Sequence, residues 1–449
     1  MSARAIPIPL HNVPVEIIQE ILVNAIHQSK ALNKSATTSA ITPNRSVNRH
    51  PYAVRAALLS VCKTWHRLVL NTPRMWNMLF FDGVLPASLD EVERWLRLSK
   101  ACPLDVYVCL EKWFPIPRDV FVYRYTQSMV GNPRDLERVY EMLGGHMGRI
   151  RTLVLDLRHC RTACFPSLEV LFPSERCTKM KSLEALECVG STIGRVGRIH
   201  APRLQEVVTG YNLNTMLEHM TMDTVLSVKE VEVRIRDDMS AEQVEALGLY
   251  RNLESLHLID TRIANAIDEG PQFPIGMKVV LPSLRFLDIS ALRAEVILPL
   301  LNTLSTPALE SLSFEGCDGS TSLSTSTLSA FFALGPSIQE LHLAGVDLRP
   351  PQHQHQDQQS SNAKLTSIHL SRCHIHTAFF QSLNATVINT TPPTSTSPST
   401  SLPYPILSTL TFHNCTFDPT DLKSFNSNRT HLHISSTKDV FNNRLGPQH

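Results

Sequence analysis

The chain has 449 residues, 43% of them hydrophobic and 18% charged, with 42 Lys or Arg against 41 Asp or Glu. That length exceeds what one hydrophobic core commonly supports, so several domains or a repeated unit are expected, and the composition excludes a disordered chain. A net charge of +1 excludes binding dominated by nucleic-acid phosphates, and no apolar run reaches the ~20 residues of a membrane span.

The N-terminus, MSARAIPIPL, has no continuous apolar stretch of the signal-peptide kind. The ten cysteines are scattered without a disulfide-framework spacing and read as reduced thiols, so the expected location is cytoplasmic and/or nuclear. NVPVEIIQEILVNAI predicts a first helix, with Pro14 in its first turn and Val13, Ile17, Ile18, Ile21, Leu22 and Ala25 on one apolar face. RAALLSVCKTWHRLVL predicts a second, with Leu58, Leu59, Val61, Cys62, Trp65, Leu68 and Val69 on a comparable face. NTPRMWNML begins a third, capped by Thr72. The polar residues 28–55 read as an inserted loop. Residues 1–76 carry nine Lys or Arg against Glu16 and Glu20, a local excess of seven positive charges. Residues 81–149 read as a connecting segment ending in an atypical first repeat.

From residue 150 a phrase recurs: aliphatic, two spacers, aliphatic, one spacer, apolar. It begins at Ile150, Leu183, Val228, Leu253, Leu284, Leu309, Ile338, Leu365 and Leu407, with a degraded copy at Leu204 and a closing HLHI ending at Ile434. Cys317, Cys373 and Cys415 take the ninth place in three copies. The fourth and sixth places alternate with a spacer, as a strand with one buried face requires, so Ile368 is expected in the core. Such units cannot bury their apolar edges alone and are expected to stack into a curved solenoid, with helices such as SAEQVEALGLYRN between the strands. Residues 349–363 and 385–403 are polar and Pro- and Ser/Thr-rich and read as flexible loops.

The fifth place points to the concave face and holds His257, Asp288, Ser313, His342, His369 and Thr411, with His433 joining them if the last copy is in register. A ladder of imidazoles there would suit an acidic ligand or respond to pH between about 5 and 8. Cys160, Cys164 and Cys177, and the run Cys373, His374, His376, are loosely metal-like in spacing. Cys373 is accounted for by its ninth place, and four convergent ligands are not in view, so neither a metal nor another cofactor is expected. No phosphate loop, nucleophile elbow or H-E-x-x-H pair occurs, so the chain is read as a non-enzyme.

Residues 7–80 resemble an F-box. Val13-Pro14-Val15-Glu16-Ile17-Ile18 matches that family's opening Leu-Pro-x-Glu-Ile-Leu. Val61, Cys62 and Trp65 match its Val-Cys-x-x-Trp, and Thr72, Pro73 and Trp76 its fungal-style Thr-Pro-x-x-Trp. Residues 150–435 resemble leucine-rich repeats of the cysteine-containing type. The resemblance implies an α/β chain in which a three-helix F-box-like module precedes a leucine-rich-repeat solenoid, or horseshoe. It further implies a substrate-recognition subunit of an SCF-type ubiquitin ligase. Pro14, Ile17, Ile18, Ile21, Leu59, Val61 and Trp65 would bind a Skp-type adaptor and, through it, a cullin. His257, Asp288, His342 and His369 would hold a protein substrate. The alternative is a leucine-rich-repeat interaction scaffold that no longer binds the ligase. No nucleic-acid or membrane partner is expected.

Overall fold

The computed structural model describes residues 13–38, 51–81, 89–109, 133–156, 168–189, 196–210, 213–235, 240–260, 274, 276–292, 294–316, 321–323, 337–348, 364–377, 379–380, 407–417, 420, 422, 425 and 432–437. The chain divides into two compact units, Met1–Leu204 and Gln205–His449.

The first unit opens with three helices, α1 (Val15–Thr38), α2 (Pro51–Val61) and α3 (Lys63–Asn71). The expected loop over 28–55 differs at both ends, since α1 runs on to Thr38 and α2 starts at Pro51. Leu22, Val23 and Ile26 of α1 and Val69 of α3 are buried. Cys62 caps α3, its sulfur accepting the Trp65 N–H at 3.5 Å. Then follow β1 (Met78–Phe81), α4 (Leu89–Leu98), β2 (Leu104–Cys109), α5 (Pro133–Gly144), β3 (Ile150–Asp156), β4 (Thr178–Lys179), β5 (Ala185–Val189) and β6 (Ile199–His200). Strands β1, β2, β3 and β5 lie side by side in that order, all parallel, and β4 pairs with β6.

β1 is an edge, and an edge strand presents unpaired N–H and C=O groups. Helix α2 covers them. The buried Arg55 donates to the Met75 carbonyl at 2.7 Å and the Met78 carbonyl at 2.5 Å, while the Tyr52 hydroxyl accepts the Phe80 N–H at 2.9 Å. The helices are therefore built into the first unit through its sheet edge, and are not a separate three-helix module.

The second unit contains β7 (Glu206–Thr209), α6 (Leu213–Glu218), α7 (Met222–Ser227), β8 (Glu230–Ile235), α8 (Ala241–Leu247), β9 (Ser255–Asp260), β10 (Val279–Val280) and β11 (Phe286–Ser290). It continues with α9 (Ala294–Thr303), β12 (Leu304–Ser305), β13 (Ser311–Glu315), β14 (Thr321–Leu323), β15 (Glu340–Ala344), β16 (Val346–Leu348), β17 (Ser367–Ser371), β18 (His374–Ile375), β19 (Thr409–His413) and β20 (His433–Thr437). Its principal strands run β7-β8-β9-β11-β13-β15-β17-β19-β20, parallel and in chain order. Small companion sheets form from β10 with β12 and from β14, β16 and β18.

The register aligns Leu256, Leu287, Leu312, Leu341, Ile368 and Leu410 across neighbouring strands, and all are buried. Leu258, Ile289, Phe314, Leu343, Leu370 and Phe412 form a second buried row two residues on. Several strands end in a left-handed corner at Ala291 (φ 61°), Gly345 (φ 63°), Arg372 (φ 53°) and Asn414 (φ 52°). There the corner amide still reaches the next strand: Ala291 donates to the Glu315 carbonyl at 2.7 Å and Arg372 to the His413 carbonyl at 2.8 Å.

The expected horseshoe of leucine-rich repeats is corrected by these connections. A repeat array returns from strand to strand by one recurring unit. Here β7 and β8 are joined through two six-residue helices, α6 and α7, and β8 and β9 through one helix, α8, closed by a Ser240–Gln243 capping box. β11 and β13 are joined through α9, which carries Pro299 inside it, and then β12. The architecture is mixed α/β, with a parallel sheet and irregular helices. Residues 349–363 and 385–403, expected as loops, lie outside the described residues.

Candidate functional site

In a strand with one buried face, the residues between the core positions look outward. In the second unit these are Glu232, His257, Asp288, Ser313, His342, His369, Thr411 and Ser435, in register across eight adjacent strands. His433 is not among them, because it pairs with Thr409 and its strand brings Ser435 against Thr411. The same period places Glu206, Glu230, Ser255, Phe286, Ser311, Glu340 and Ser367 in a parallel outward row.

The row has two centres. At the first, His257 Nδ1 lies 3.4 Å from Asp288 Oδ2, while its Nε2 lies 2.9 Å from the Ser255 hydroxyl and 3.5 Å from Glu230 Oε1. The hydrogen bond to Asp288, with the carboxylates of Glu230 and Glu232 nearby, holds the His257 imidazole above its ordinary range. Burial works to raise the Asp288 carboxyl, but hydrogen bonds with His257 and Ser313 outweigh it and hold the group low. At the second centre His342 and His369 stack, ring centroids 4.4 Å apart and planes 15° off parallel, with Glu340 Oε2 3.7 Å from His342 Nε2. Burial and then the His342 charge push His369 below the usual imidazole value.

These opposite shifts make opposite pH effects. A raised imidazole stabilises the fold fully below the unfolded value of about 6.5, and the gain is lost as pH rises through its folded value. A depressed imidazole penalises the fold as pH falls through about 6.5, and the penalty is relieved as pH rises. Between about pH 5 and 8, the thermal midpoint of wild type relative to His257→Gln is therefore expected to fall with pH, and relative to His369→Gln to rise. Melting curves across that range check it, and parallel trends would contradict the assignment.

The carboxylates Glu206, Glu230 and Glu340 escaped the reading of the fifth places because they occupy third places. The two-residue period that put His257 and His342 outward applies equally to them. Together Glu206, Glu230, Glu232, Asp288 and Glu340 stand in two adjacent outward rows that contain no Lys or Arg. Arg234, one position further along β8, pairs with Glu232 at 2.6 Å. Carboxylates thus stand beside the imidazoles in these rows. Phe286 adds an exposed ring in the same rows, 45% accessible.

In the first unit Ile17, Ile21 and Val61 are 52%, 59% and 57% exposed, Pro14 is exposed, and Ile18, Leu59 and Trp65 are half-buried. Cys177 is exposed, Cys373 is buried with its thiol 3.3 Å from the Leu343 carbonyl, and Cys160, Cys164 and Cys317 lie outside the described residues. Among the described residues no helix is long and apolar enough to cross a membrane.

No family model matches the sequence, and no curated protein matches it. Among the solved structures that match, a structural-genomics target from Bacteroides fragilis is similar at 13% identity with a TM-score of 0.30, over 53% of this chain and 66% of that one, just under two thirds of its length. A superposition that loose carries no argument. Membership of the F-box and leucine-rich-repeat families is thus corrected, and with it the SCF ubiquitin-ligase role, the Skp-type adaptor and cullin partners, and the alternative repeat scaffold. The architecture on which they rested is replaced by an α/β structure whose helices brace a sheet edge.

Proposed function

We propose that the chain is a non-catalytic binding protein whose outward sheet rows in the second unit take a cationic ligand, an arginine- or lysine-bearing polypeptide segment. The observation that carries this reading is the set of carboxylates Glu206, Glu230, Asp288 and Glu340, in two rows that contain no Lys or Arg. Carboxylates on such a face steer a cation and fix its register. The exposed Phe286 ring stands in the same rows, and the chain's own Arg285 guanidinium already lies over it, 5.6 Å from the ring centroid.

Ser255, His257 and Asp288 do stand in hydroxyl–imidazole–carboxylate order, the arrangement of an activated serine. Two features favour binding over acyl transfer. Glu230 competes for the same imidazole nitrogen. The Ser255 amide is committed to the Lys229 carbonyl at 2.9 Å, so it does not serve as an oxyanion donor.

Titrating the full-length protein with a fluorescent oligo-arginine peptide and with an oligo-glutamate peptide of equal length tests the reading. The basic peptide is expected to bind and to weaken with added salt. The combined variant Glu230→Gln, Asp288→Asn, Glu340→Gln should lose about tenfold or more, since each removed charge contact is worth up to roughly 1 kcal/mol at partly exposed sites. Preference for the acidic peptide, or equal binding by the variant, would remove the proposal.

A further inference from the structure

On the small sheet of the second unit, β16 and β18 pair in parallel with Asp347 opposite His374 and Leu348 opposite Ile375. Val346, Leu348 and Ile375 are buried, so the alternate positions Asp347, His374 and His376 share the other face. Three ligand atoms converge there. His374 Nδ1 and His376 Nε2 are 3.2 Å apart, His376 Nε2 is 3.1 Å from Asp347 Oδ1, and His374 Nδ1 is 3.5 Å from the same oxygen.

We propose that Asp347, His374 and His376 bind one divalent transition-metal ion of the zinc class. A tetrahedral ion with nitrogen and oxygen ligands at about 2.0–2.1 Å holds those atoms about 3.3–3.4 Å apart, and the three observed separations bracket that value. Two imidazoles and one carboxylate are donors that such ions accept, and three protein ligands leave a fourth position for solvent or a ligand. Access is present, because the His374 and His376 side chains are 58% and 37% exposed, while Asp347 is held at 13%. The backbone is set beforehand: the Ile375 N–H is bonded to the Thr416 carbonyl at 2.9 Å, and the Thr416 N–H to the Cys373 carbonyl at 2.9 Å. Cys373 itself is buried with its thiol against the Leu343 and Ser371 carbonyls and is not one of the ligands. Read along the sequence, Cys-His-Ile-His offered a cysteine and two histidines. The fold exchanges the cysteine for an aspartate 27 residues upstream of His374.

The same three atoms could also form a plain hydrogen-bond cluster, with both rings donating to one carboxylate oxygen. Metal binding by the full-length protein separates the two. Competition titration with Zn²⁺ alone should show one site, and Co²⁺ alone should give the visible absorption of a tetrahedral complex. Asp347→Asn, His374→Ala and His376→Ala should each weaken Zn²⁺ at least tenfold and abolish the Co²⁺ bands, whereas His433→Ala, on β20, should leave both intact. A reading on the unmodified protein makes the test independent of how the variants fold: pulsed EPR of bound Cu²⁺ should count two coordinated imidazoles. Zn²⁺ affinity no greater in wild type than in His374→Ala with His376→Ala, whether both bind elsewhere or neither binds, would overturn the proposal. So would a Cu²⁺ spectrum with any other imidazole count.

Discussion

Ile368→Asp is expected to destabilise the second unit by roughly 4 kcal/mol or more, enough to consume much of a typical domain's 5–15 kcal/mol. Ile368 sits mid-strand in β17 between Leu341 and Leu410 with no accessible surface. A carboxylate there either stays charged without a partner or takes up a proton at the cost of a large pKa shift, and the aliphatic packing is lost either way. The neighbouring Ser367 points to the opposite face of the same strand. Ser367→Asp is therefore the matched control and should change stability by less than about 1 kcal/mol. Urea unfolding followed by circular dichroism compares the two, and similar small losses would contradict the core assignment.

Arg55→Ala should be nearly as damaging in the first unit, at roughly 3 kcal/mol or more. The guanidinium is 2% exposed, lies 5.5 Å from the Tyr52 ring and 5.6 Å from the Trp76 ring, and is lowered to about 10 by burial. Burying that charge is costly, yet removing it leaves the Met75 and Met78 carbonyls without their donor and opens space between two rings. Arg55→Lys should recover only part of the loss, because one ammonium lacks the planar fork that reaches both carbonyls. Trp76 fluorescence during denaturation reports the change directly. A fully stable alanine variant would mean that the edge of β1 needs no cover from α2.

What was legible in the sequence was local. The alternation in LESLHL, LRFLDI or LTSIHL marks a strand with one buried face, and Leu256, Leu287 and Ile368 lie in the core accordingly. That phrase is indifferent to what lies between strands, however, because the two-residue alternation belongs to any strand buried on one face. The connecting pieces were not legible. α6 and α7 are six residues each, too short for a clear helical period, and α9 continues through Pro299, which ordinarily ends a helix. Val61, Cys62 and Trp65 look like a family signature, yet in the structure Cys62 is a helix cap and Val61 is open to solvent. The aspartate of the small sheet was hidden for a different reason. Asp347 and His374 each lie six residues beyond the buried fourth place of their own strand phrase, at Leu341 and Ile368. Their meeting is visible only once those two strands are known to be neighbours.

The chain-order arrangement of the second unit's strands bears on how it is assembled. Each strand finds its partner among residues already made a few tens of positions earlier, as from Ser255 to Phe286 or Ser311 to Glu340. Paired residues on neighbouring strands lie 24 to 31 positions apart, and 42 from Ser367 to Thr409, so the entropy lost at each addition is modest and does not grow as the sheet widens. A chain emerging from the ribosome from its N-terminus can therefore lay down one strand at a time on a template that is already ordered. The most recent strand is always the temporary edge, and the next one to be synthesised covers it.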